Sequence, residues 1–261
     1  MKTKTLSLLN FFTFALVLTV NALANILPIN GLTTGDVSDN YTNLFTPAGF
    51  TFSIWGLIYT LLAIFVIYQL VLSFKEKNTQ IVEKLGYYFI VSNILNSLWI
   101  YTWHNLMISI NLIIMILLLI SLIMVYQKLN IGKSSENKKT KIIVHIPFSI
   151  YLGWISVATI ANFSAFFVSI NWNGFGLSET FWTVLVLAVA VLLGVIFTLK
   201  NKDIFYALVV IWAFIGILSK RLTADITYTS IISTVLIGII FLSILVLYKI
   251  VKKDIYVESN I

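Results

Sequence analysis

LMISINLIIMILLLISLIMVYQ, residues 106–127, runs for 22 residues without a charge. About 20 apolar residues, each rising 1.5 Å, cross the hydrocarbon of a bilayer. Lipid offers an open backbone no partners, so such a run reads as a membrane-spanning helix. Seven more apolar segments surround it, at about 6–27, 50–73, 82–103, 142–170, 180–199, 204–219 and 229–250. The span at 204–219 is the shortest, at 16 residues, and is a candidate for a re-entrant segment. The whole chain agrees with this count. Its 261 residues are 59% hydrophobic and 10% charged, where a soluble domain carries about 25% charged residues. Its mean hydropathy is +0.98. The expected fold class is all-α, a polytopic membrane helix bundle of about eight transmembrane helices. A soluble enzyme, a disordered tail and a disulfide scaffold are excluded. With no cysteine, so are Cys-ligated zinc, an Fe–S cluster and a thiol nucleophile.

The charges orient the bundle. With the N-terminus inside, the inner loops collect Lys75, Lys77 and Lys84, then five lysines from Lys128 to Lys141, then Lys200 and Lys202. Of 17 basic residues the outer side keeps Lys220 and Arg221 alone. That is the positive-inside pattern, and it puts both termini inside. The net charge of +7 therefore records topology rather than nucleic-acid binding. A competing reading of the start is a signal peptide, with Lys2 and Lys4, an apolar stretch, then Ala22-Leu23-Ala24. The lysine-rich loop Gly132–Lys141 reads as an inner anchor, with anionic lipid as an additional contact. No internal repeat marks the halves of a transporter.

No acidic or basic residue falls at mid-depth in a span, where pumps and ion-coupled carriers keep theirs. No phosphate loop and no HExxH is present. His104 and His145 fall at opposite faces, so they cannot jointly ligate a haem iron; each reads as a helix-end residue or, singly, as an axial ligand. No general base or metal site is visible, so an enzyme is the weaker expectation.

Polar and aromatic residues gather in the outer half. Phe52, Trp55 and Tyr59 share one face of the second span. Ser92, Asn96, Trp99 and Trp103 form a stripe on the third, and Tyr151, Trp154, Ala158 and Asn162 on the fifth. Asn96 and Asn162 need partners in hydrocarbon and so face the bundle interior, as interhelical bonds or as ligand contacts. Trp103, Trp172 and Trp182 read as interface anchors. Ala158, Ala161 and Ala165 suit close helix packing. Aromatic faces with a few amides suit a flat, mostly apolar ligand. The first outer loop, Pro28 to Gly49, is the longest outer connection, and reads as a lid or a plain connector.

Three segments carry a family resemblance. Pro47-Ala48-Gly49-Phe50-Thr51-Phe52-Ser53-Ile54-Trp55-Gly56-Leu57-Ile58-Tyr59 resembles the loop-to-second-helix motif of the TspO/MBR family, the tryptophan-rich sensory proteins related to the mitochondrial translocator protein. Leu95-Asn96-Ser97-Leu98-Trp99 is similar to that family's third-helix LNxxW, and residues 151–162 to its fifth-helix YLxWxSxAxxxN. The motifs occur in order and cover about residues 1–172. The family pattern often has proline where Thr46 stands and tryptophan where Gly49 stands. Its fifth-helix proline adjoins the tyrosine, where this chain has Pro147. The resemblance implies a five-helix bundle over residues 1–174, with residues 175–261 as a three-helix transmembrane extension. It implies a pocket for porphyrin, haem or another flat hydrophobic molecule, with no obligatory cofactor.

The expected ligand-binding residues are Phe50, Trp55, Tyr59, Asn96, Trp99, Trp154, Ala158 and Asn162, with no catalytic or metal residue. Phe45 and Phe50 are the expected lid. Lys220-Arg221 reads as a snorkelling pair or as a cradle for an anionic group. The expected function is a sensor or carrier of a tetrapyrrole-like ligand in a bacterial cytoplasmic membrane. Its expected partners are that ligand and membrane lipids, not nucleic acid, and a homodimer is open. The alternative is a permease for a small solute that binds no porphyrin.

Overall fold

The computed structural model describes residues 2–27, 29–77 and 79–258. Pro28, the start of the first loop, lies outside the described residues. Eight long helices connect two ends of the molecule: α1 (Lys2–Ile26), α2 (Ile54–Phe74), α3 (Tyr88–His104), α4 (Ile108–Lys128), α5 (Ile146–Ser169), α6 (Glu179–Lys200), α7 (Ile204–Leu222) and α8 (Thr229–Val251). Among the described residues there is no strand. Among the described residues seven helices are long and apolar enough to cross a membrane. The eighth, α3, has 17 residues. The protein is a multi-pass helical membrane protein.

The expected third span, 82–103, is corrected. It breaks into a short helix, Gln80–Leu85, and α3. Gly86 ends the short helix at φ +52° and ψ −127°, a conformation that only glycine adopts freely. Ile81, Val82 and Leu85 of the short helix are buried in the bundle, which is why the sequence runs apolar across the break. The shortest expected span, 204–219, extends to Leu222 as α7. Its last turn carries Lys220 and Arg221, each of which meets an acidic group described below.

Helices α1–α5 form a closed ring, in which α1 packs on α2 and α3, α3 on α4, α4 on α5, and α5 back on α2. Buried amides knit α1 to its neighbours. Asn10 donates to Gln69 at 3.0 Å, Asn21 to Asn96 at 3.0 Å, and Asn93 to Thr13 at 3.1 Å. Helices α6–α8 form a second cluster, each packed on the other two. The two groups meet along α5 and α7. Gly153 makes that approach possible, since a Cβ there would sit 3.2 Å from Val209 and 3.4 Å from the Tyr206 carbonyl.

The lysine-rich ends are tied together by Lys4–Glu76 at 2.8 Å, Lys84–Glu136 at 3.3 Å and Lys202–Asp254 at 3.0 Å. Here too lies Asp203, fully buried. It caps α7 through the amides of Phe205 and Tyr206, and accepts from Tyr126 at 2.9 Å and Ser149 at 2.8 Å. Burial pushes its carboxyl up to about 6. This knot joins α4 and α5 to the start of α7.

The opposite face carries the first loop. It holds a short helix, Thr34–Asn40, whose N-terminus is closed by a capping box of Thr33 and Asp36. The Thr33 amide and hydroxyl hold the Asp36 carboxyl below the usual range. His104 at the end of α3 is buried, with Nε2 at 3.2 Å from the Thr34 hydroxyl, so it fastens this loop rather than facing an interface.

Candidate functional site

The site grows from the three stripes seen in the sequence. Helices α2, α3 and α5 turn Trp55, Trp99 and Trp154 toward one another. Trp55 is the hub. It stacks on Tyr59 at 5.2 Å between ring centres and meets Trp154 and Tyr151 edge to face, each at 6.1 Å. Trp99 is tilted against it at 6.2 Å and stacks on Trp103 at 5.8 Å. Phe52 completes the cluster, edge-on to Trp154 at 6.2 Å. Offset and edge-to-face pairs of this kind add about 0.5–1.5 kcal/mol each beyond their buried area. The cluster is therefore a rigid wall.

A cavity opens against that wall. Its floor and sides are Trp55, Trp99, Trp103, Trp154, Ala158 and Asn162, with Ala161 and Ala165. Its roof is Thr34, Phe45, Thr46, Pro47 and Phe52 from the first loop and the turn before α2. Its remaining wall is Ala213 and Ile217, from α7. No lining residue is ionisable. The free space for a water-sized sphere is about 40 Å³. Sites for drug-sized ligands hold about 300–1,000 Å³, so this conformation is closed.

The polar atoms of the wall divide into two kinds. Trp99 Nε1 donates to Asn162 Oδ1 at 3.1 Å, and Trp103 Nε1 to the Thr34 carbonyl at 3.1 Å. Asn162 Nδ2 donates to the Ala158 carbonyl at 2.8 Å. These groups are satisfied. The indole N–H groups of Trp55 and Trp154 are buried and meet no acceptor. A buried donor left unmade costs about 1–3 kcal/mol. Two residues of one cavity wall thus each carry a donor for which the protein supplies no acceptor.

The expected residues fall into two groups. Trp55, Trp99, Trp154, Ala158 and Asn162 line the cavity. Asn96 and Tyr59 stand behind it. Asn96 is fully buried, accepts from Asn21 and Tyr59, and donates to Tyr151 at 2.9 Å, so it is an interhelical hub. Phe50 is corrected. It is 47% exposed and packs edge-on against Trp212 outside the cavity, while Phe45 is buried in the roof. Trp103 is also corrected, from interface anchor to cavity wall, because the Thr34–Asn40 helix folds over the end of α3 and covers it. The alanines of α5 border the cavity, where their small size makes the space. Lys220 does not snorkel freely. It pairs with Asp39, and Arg221 is buried near Glu179. Ala213 and Ile217 were not foreseen, since nothing polar or aromatic on α7 marks them.

A family model described as TSPO-like protein matches residues 7–248. The chain belongs to the TSPO-like family. The match takes in α6 and α7 and most of α8, well beyond the 1–172 of the motif resemblance. No curated protein and no solved structure matches the chain. Within a TSPO-like chain, the tryptophan wall is the part shared with the quoted motifs, and the α7 wall lies beyond them.

Proposed function

We propose that this TSPO-like protein binds a flat, mostly apolar molecule with a hydrogen-bond acceptor, a tetrapyrrole such as protoporphyrin being the model ligand. It would act as a sensor or carrier in a bacterial cytoplasmic membrane, with the lysine-rich end inside. The observation that carries this reading is the pair of unpartnered indole N–H groups of Trp55 and Trp154 on an aromatic, uncharged wall. A ligand acceptor that reaches either N–H would satisfy it, while the rings of Trp55, Trp99 and Trp154 would take the ligand's flat face. Asn162 would hold Trp99 in position. The closed cavity requires the roof to move before such a ligand enters.

The test is a titration of the purified protein with protoporphyrin, followed in the porphyrin absorbance band. Saturable one-site binding supports the reading, and a featureless partition into detergent removes it. One observation favours the rival, a permease for a small neutral solute: the cavity as it stands suits a molecule little larger than water. Saturable uptake of such a solute into proteoliposomes, without porphyrin binding, would establish that rival.

A further inference from the structure

The roof of the cavity is held from outside the five-helix ring. On α7, Ala213, Gly216, Ile217 and Lys220 lie at i, i+3, i+4 and i+7, so they form one stripe. Ala213 and Ile217 face the cavity. Gly216 accepts from the Ala48 amide at 3.0 Å through its carbonyl. A Cβ at Gly216 would collide with the side chain of Thr51, so the turn before α2 rests directly on the helix backbone. Next to this stripe Trp212 Nε1 donates to the Thr51 carbonyl at 2.9 Å. Lys220 pairs with Asp39. From α6, Glu179 accepts from the Leu44 amide at 2.8 Å.

We propose that α7, aided by α6, is the latch of the cavity, with Trp212 and Gly216 as positioning residues that set which ligands enter and how fast. This inference rests on the ligand-binding reading above. Two physical points carry it. Residues 39–51, which carry Phe45, Thr46 and Pro47 of the roof, are anchored at four places to α6 and α7. The cavity is too small for a flat ring while those anchors hold. Admission of a ligand therefore requires the turn at residues 48–51 to part from α7, and each anchor removed makes that opening easier. A helical ring without α6 and α7 would leave this side of the cavity without Ala213 and Ile217. The extension thus sets the cavity's size as well as its access.

The test has two arms that separate the latch from the ligand. In the first, hydrogen exchange of peptides covering 43–53 is measured without ligand in the full-length protein and in Trp212→Phe. Loss of one buried hydrogen bond predicts exchange faster by about five- to tenfold there, with α4 unchanged. Unchanged exchange at 43–53 overturns the latch. In the second arm, cysteines replace Asp39 and Lys220 in this otherwise cysteine-free chain. They are joined by a short, cleavable bis-maleimide, and protoporphyrin association is timed by porphyrin absorbance. The crosslink slows association at least about tenfold and cleavage restores it, if the roof must leave α7. Equal rates before and after cleavage overturn the latch. If exchange responds but porphyrin never binds, the latch stands and the ligand reading falls. If porphyrin binds but neither arm responds, the ligand reading stands and the latch falls.

Discussion

Asn96→Leu separates a structural amide from a ligand contact. In the structure Asn96 makes three side-chain hydrogen bonds, with Asn21 at 3.0 Å, Tyr59 at 3.3 Å and Tyr151 at 2.9 Å. Leucine keeps the branching and the number of side-chain heavy atoms and removes all three. Asn21 retains a second acceptor, the Val17 carbonyl at 2.9 Å, but the Tyr59 hydroxyl loses the acceptor it has. At roughly 0.6 kcal/mol per interhelical bond, the expected loss is about 2 kcal/mol. For a chain of this size that lowers the midpoint of thermal unfolding by about 4–8 °C. Circular dichroism at helical wavelengths in mild detergent reads this directly. Well below the transition, porphyrin affinity stays within about twofold of the unsubstituted protein, because Asn96 does not reach the cavity. A midpoint within about one degree of the parent, together with a tenfold or greater loss of affinity, would refute the reasoning. It would place Asn96 in the site and not behind it.

Other predictions follow from the same geometry. The Asp203 carboxyl is raised from 3.8 to about 6 by burial, so the folded state holds its proton more tightly than the unfolded one. Its contribution to stability is full below 3.8 and is lost as pH rises through about 6. Chemical unfolding across this window should show the stability of the parent falling relative to Asp203→Asn as pH rises, and parallel curves would contradict it. Asn111 ties α4 to the end of α3 through the Trp99 carbonyl at 2.8 Å and Thr102 at 2.9 Å. Asn111→Leu should therefore lower the thermal midpoint by a few degrees, from about 1 kcal/mol lost, and an unchanged midpoint would contradict it.

What the sequence shows depends on which physical signal each element carries. The run at 106–127 needs no context, since 22 uncharged residues have one stable solution in lipid. The break at Gly86 is hidden because Ile81, Val82 and Leu85 bury themselves on the ring and keep the segment apolar. Trp55, Trp99 and Trp154 are legible through helical spacing. Trp103 shares that spacing, but its place at a helix end resembles an anchor, and only the folded first loop turns it into a wall. Asn96 and Asn162 look alike in sequence. Their difference is which neighbours reach them, which is tertiary information. Ala213, Gly216 and Ile217 carry no chemical signal, because a wall of small and aliphatic residues on a spanning helix is indistinguishable from a packing face. Asp203 is missed because it lies between spans, where a carboxylate is normally solvated, and the fold buries it under Tyr126 and Ser149.

The proposed role of the indole N–H groups of Trp55 and Trp154 is to hold the ligand's acceptor. Its most direct measurement is the protoporphyrin affinity of Trp55→Phe and Trp154→Phe, which keep an aromatic ring and remove the donor. Saturable binding by the parent should be weakened about tenfold by each substitution. Affinity that is unchanged in both variants would contradict the claim.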